Sequence, residues 1–82
     1  MTNELDIALQ RLVTDSGLTP HEIAEAIGKA YSTLMREANP NDHRAKIGAI
    51  TLYQIMALTG NITPLRIMAS NLGYELIPVK HQ

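Results

Sequence analysis

Residues 19–40, TPHEIAEAIGKAYSTLMREANP, constrain the fold more than any other part of the chain, because they punctuate two short helices. Thr19 followed three residues later by Glu22 is a capping box, in which a hydroxyl and a carboxylate each satisfy an amide left without a partner at a helix start. Pro20 suits the first helical position, and Gly28 can take the left-handed conformation that ends a helix. Ile23, Ala24 and Ile27 share one face of the first helix, and Leu34 and Ala38 share one face of the second, so two small apolar stripes can pack together. A large residue in place of Ala24 would push the helices apart. Asn39, Pro40, Asn41 and Asp42 then stop the second helix, since Pro cannot continue it and Asn and Asp favour turns.

Two short helices joined by a tight turn at a glycine are the helix-turn-helix pattern of DNA-binding regulators. In that pattern the start of the second helix enters the major groove, and here it brings the hydroxyls of Tyr31, Ser32 and Thr33, with Arg36 placed to reach a base or a phosphate. Two structural readings stand beside this one. Ser32 serves as a helix-start residue, or Tyr31 packs its ring on the domain. The charge distribution bears on the choice more than the net charge of −1 does. Residues 1–28 set Arg11 against Glu4, Asp6, Asp15, Glu22 and Glu25, whereas residues 29–46 set Lys29, Arg36, Arg44 and Lys46 against Glu37 and Asp42. Positive charge thus begins at the turn and continues through the loop HRAKIG, the footprint expected if one face meets phosphate. His43, Arg44 and Lys46 reach phosphate from a loop as readily as from a helix, because such contacts need charge and reach more than fixed geometry. Four basic side chains near phosphate predict a log affinity against log salt slope of about −3 to −4 per protomer.

The flanking segments supply the rest of a small helical core. Residues 3–15 read as an amphipathic helix capped by Asn3 and stopped by Gly17, with Leu5, Ala8, Leu9, Leu12 and Val13 on one side. Leu18 is placed to staple onto Ile23. Residues 51–59 read as a fourth helix with Thr51 as its cap, Leu52, Ile55, Met56 and Leu58 as apolar contacts and Gly60 as its end. Thr63 and Pro64 open a fifth helix carrying Leu65, Ile67, Met68, Ala69 and Leu72, and Gly73 terminates it. From Tyr74 the period changes. Tyr74, Glu75, Leu76, Ile77, Pro78 and Val79 look extended, and a strand with no mate in its own chain wants a partner.

An 82-residue chain is expected to be one domain that buries about 60–65% of its unfolded surface. Without cysteine it has no disulfide, thiolate zinc site or cysteine nucleophile, and no apolar run approaches the length of a membrane span, so the expected setting is the cytoplasm. His21, Asp42, His43 and His81 lack the spacing of a metal site. No carboxylate pair, Ser and His pair or glycine-rich phosphate loop stands in a catalytic context, so neither enzyme activity nor a cofactor is expected.

The run IGKAYSTLMREANPND, a helix ending in ALTGN, and then TPLRIMASNLGY resemble the phage regulatory proteins of the CII type, over roughly residues 7–76. The most specific parts are the stop at Asn39 and Pro40 and the ending Leu58, Thr59, Gly60. The resemblance implies an all-α, five-helix helix-turn-helix (lambda-repressor-like) DNA-binding domain spanning residues 1–82 with a short C-terminal extended strand. It implies a regulator of promoters in the choice between lysis and lysogeny, with Tyr31, Ser32, Thr33 and Arg36 on the recognition helix and Lys29 and Arg44 near the DNA backbone. Lys29 and Ala30 depart from the pattern, standing where many such sequences carry an aliphatic residue and a Ser cap. The tail LGYELIPV is similar to the end of some Cro-like and antitoxin-type repressors, which implies a homodimer joined through residues 74–79 on an inverted-repeat operator. A helical adaptor that binds another protein, without DNA, is the alternative from a different class.

Overall fold

A computed structural model describes residues 3–42 and 44–79, in which the chain forms five helices and no strand. They are α1 (Glu4–Thr14), α2 (Pro20–Ile27), α3 (Tyr31–Ala38), α4 (Ala49–Thr59) and α5 (Thr63–Asn71). No helix among the described residues is long and apolar enough to cross a membrane.

Each boundary has a local cause. The Asn3 side chain accepts the Asp6 amide at 2.9 Å and starts α1. At α2 the capping box is complete: the Glu22 amide donates to Thr19 Oγ1 at 3.1 Å, and the Thr19 amide donates to Glu22 Oε1 at 2.9 Å. Gly28 closes the helix at φ 70°, with its own amide on the Glu25 carbonyl and the Lys29 amide on the Ala24 carbonyl. Those two bonds satisfy carbonyls that the helix would otherwise leave open, and the positive φ is why glycine stands there.

The core is built where the first four helices meet. Leu12 and Val13 of α1, Ile23 and Ala24 of α2, Leu34 and Ala38 of α3, and Ile55 of α4 are all buried in one cluster. Leu18 is half-buried against that cluster, as a staple onto Ile23 requires. Ala24 and Ala38 are small enough to let α2 and α3 come together, and α3 packs on α1 and α2. α5 lies outside this cluster and packs on α1. The connection before α5 is fastened by Asn61, whose Nδ2 donates to Ser16 Oγ at 2.9 Å and whose Oδ1 accepts the Thr63 amide at 3.1 Å.

Two expectations change. α4 starts at Ala49 after an extended Gly48, so Thr51 lies inside the helix and caps nothing. Leu58, Leu65 and Leu72, expected as apolar contacts, are exposed. From Tyr74 to the end of the described residues the chain is non-helical and exposed, and no strand is formed among the described residues. With the tail and α5 spread beside the core, the described residues span 36 × 35 × 19 Å. Their radius of gyration, 13.0 Å, exceeds the about 12 Å of a compact chain of this length.

Candidate nucleic-acid interface

The second of the two punctuated helices presents its polar side outward. Leu34 and Ala38 turn into the core, which leaves Ser32, Thr33 and Arg36 exposed on the other side of α3, with Tyr31 exposed at the helix start one turn before Leu34. Ser32 and Arg36 are four residues apart and Thr33 and Arg36 three, so these side chains are neighbours on the helix surface. Ala30, at the cap position, has no side-chain oxygen to offer the first-turn amides. The positive end of the helix dipole therefore lies beside the three hydroxyls.

Tyr31 does two things at once. Its ring stacks on His21 at a centroid distance of 3.6 Å and 8° between planes, while the residue stays 40% exposed. The packed reading of Tyr31 and its surface position are thus both met. His21 was not among the expected site residues. It stands in the first turn of α2, and only the packing of α2 on α3 brings it to the first residue of α3; no spacing rule in the sequence shows that pairing.

The four cations of residues 29–46 fall into different situations. Lys29 Nζ lies 2.6 Å from Glu37 Oε1, with both side chains largely buried, so this charge ties the turn to the last turn of α3. Lys46 Nζ is drawn to Asp6 Oδ1 of α1 at 3.7 Å. Arg36 Nε lies 3.6 Å from Asp42 Oδ2, but its side chain is 66% exposed, and exposed pairs of this length hold little. Arg44 is exposed, with its backbone amide held by Asp42 Oδ1 at 3.0 Å. The structure therefore gathers Tyr31, Ser32, Thr33 and Arg36 on α3 and joins Arg44 to them through Asp42, while Lys29 is engaged with Glu37 and Lys46 makes only a long pair with Asp6. His43 lies outside the described residues.

Asp42 is the hinge of this arrangement. The amides of Arg44 and Ala45 donate to it and hold its carboxyl below the ordinary value of 3.8, with Arg36 adding to the effect. The Thr19 amide, and then its hydroxyl, likewise lower Glu22 from 4.5. Both carboxyls release protons more readily in the folded chain, so their contribution to stability is complete above their ordinary values and is lost as pH falls through the lowered ones. Glu22→Gln keeps an acceptor for the Thr19 amide and cannot titrate. Urea unfolding at pH 7 and pH 3 is expected to show a smaller acid loss for this variant than for the native chain, and equal losses would remove the capping box from the acid response.

The family described as phage regulatory protein CII (CP76) matches the chain over residues 3–82. No curated protein and no solved structure matches it.

Proposed function

The chain belongs to the phage regulatory protein CII family, and from that premise we propose that it is a sequence-specific DNA-binding transcriptional regulator of a phage or prophage, acting in the choice between lysis and lysogeny. In this reading α2 and α3 are a helix-turn-helix and α3 is the helix that enters the major groove. The observation that carries it is the division of α3 into a buried apolar side, Leu34 and Ala38, and an exposed side of hydroxyls and Arg36 that no other element covers. Hydroxyls and guanidinium are groups that read base edges, and the Arg44 loop beside them reaches the backbone. Two copies related by a twofold place their α3 helices in successive major grooves about 34 Å apart, so the operator is a short inverted repeat. The exposed tail, residues 74–79, joins the two copies by pairing with its mate.

The electrostatics sharpen the expected salt dependence. With Lys29 engaged by Glu37, and the Lys46 pair with Asp6 as long as that of Arg36 with Asp42, Arg36, Arg44 and Lys46 are the cations of residues 29–46 left for phosphate. The slope of log affinity against log salt is then about −2.7 per protomer and about −5 for a dimer, at the low end of the −3 to −4 per protomer of four free cations. Fluorescence anisotropy on promoter DNA from the neighbouring genes, over a series of salt concentrations, measures it. Absence of binding at low salt would overturn the proposal.

A further inference from the structure

The starts of α2 and α3 are held in different ways. At α2 the reciprocal Thr19 and Glu22 bonds, 2.9 and 3.1 Å, bracket Pro20 and His21, and proline fixes its own φ, so the backbone that carries His21 is set. At α3 the cap position is Ala30, which makes no side-chain bond, so Tyr31 gets no such support from its own helix. The contact on Tyr31 comes from α2 instead: the His21 ring lies on the Tyr31 ring at 3.6 Å, with 8° between planes. Ile23 and Ala24 of α2 are buried with Leu34 of α3 in one cluster, so the core also joins the two helices that carry these rings. The stack covers one face of the Tyr31 ring and leaves the residue 40% exposed.

We propose that His21 is a positioning residue of the nucleic-acid interface: its ring fixes that of Tyr31 at the start of α3 before DNA arrives. The inference rests on the DNA reading of α3 and adds to it a residue from α2. A tyrosine on an open surface turns about two side-chain torsions, and a partner that contacts its ring has to freeze them on binding. Rings 3.6 Å apart and nearly parallel are at van der Waals contact, so the Tyr31 ring cannot turn through the side that His21 fills. Part of the ordering is thus complete in the free protein, and the open part of the ring is presented in one direction. His21 acts here through Tyr31, so its removal is felt only while Tyr31 is present. A direct contact of His21 with phosphate is a different case, since it would be lost whatever stands at position 31.

A double-mutant cycle tests this, measured by fluorescence anisotropy on promoter DNA from the neighbouring genes with the native chain, His21→Ala, Tyr31→Ala and the two together. His21→Ala is expected to weaken selective binding about 2- to 12-fold, the effect of leaving one more side chain to be ordered on binding. The same change in a chain that already carries Tyr31→Ala is expected to cost nothing further. His21→Phe, which keeps a flat ring, should regain most of the loss. His21 is exposed and alanine favours a helix, so helical circular dichroism should be unchanged in each His21 variant. Equal losses with and without Tyr31, or a His21→Phe variant as weak as His21→Ala, would overturn the inference. A native chain that binds the promoter while His21→Ala binds it as tightly sinks the positioning role alone, whereas a native chain that binds no DNA sinks the DNA reading and this role with it.

Discussion

Leu34→Ala is expected to remove a large share of the stability of the fold. Leu34 is fully buried on α3 at the meeting point with α1 and α2. Removing its isobutyl group loses its transfer energy and leaves a cavity, at a cost of about 2–5 kcal/mol. A chain of 82 residues has only about 4–12 kcal/mol of total stability, so the substitution removes a large share of it. Urea unfolding followed by circular dichroism should show the midpoint falling by at least about a sixth, and by half or more if total stability lies at the low end of that range. Leu34→Met, which nearly conserves volume, should cost less than about 1.5 kcal/mol, and Ser32→Ala, two residues away on the exposed side, should stay within about 0.5 kcal/mol. A loss below 1 kcal/mol for Leu34→Ala would mean that the inner side of α3 is not packed as described.

Arg36→Ala carries the second large effect, and it acts on binding while sparing the fold. The Arg36 side chain is 66% exposed and its one ion pair, with Asp42, is long, so little stability depends on it. If α3 lies in the major groove, Arg36 supplies a base-edge contact worth about 1–3 kcal/mol, and specific affinity falls about 5- to 150-fold. Arg36→Lys keeps the charge but loses the planar fork that pairs with guanine, so it should restore non-specific binding more fully than specific binding. Lys29→Ala is the instructive contrast. Its ammonium is spent on Glu37, so that variant should lose stability at the turn before it loses contact with DNA. Arg36→Ala with unchanged specific affinity would take α3 out of the recognition role.

The parts of the fold that could be read from the sequence are those with local causes. The bounds of α2 and α3 follow from the Thr19 and Glu22 box, the left-handed Gly28 and the stop at Asn39 and Pro40, each acting within a few residues of itself. α4 was less legible for a physical reason. Its residues are apolar on every side, so no period separates Leu52 and Ile55, which face the core, from Ile50, Tyr53 and Leu58, which do not. Its start was misplaced because Thr51 resembles a cap while the backbone turns extended at Gly48. At the site, composition identified the cations but not their engagements. Lys46 meets Asp6 from the far end of α1, and Lys29 meets Glu37 across the length of α3, contacts that exist only once the helices have packed. The His21 and Tyr31 stack was hidden in the same way.

Competition on promoter DNA tests the central claim most directly. The full chain is bound to a labelled duplex from the neighbouring promoters, and excess random duplex is added at physiological salt. Selective recognition through α3 predicts that the complex survives an excess of roughly a hundredfold or more, since specific sites are held about 10³-fold or more tighter than random sequence. Displacement by random duplex as readily as by the unlabelled promoter, or no complex to displace, would contradict the account.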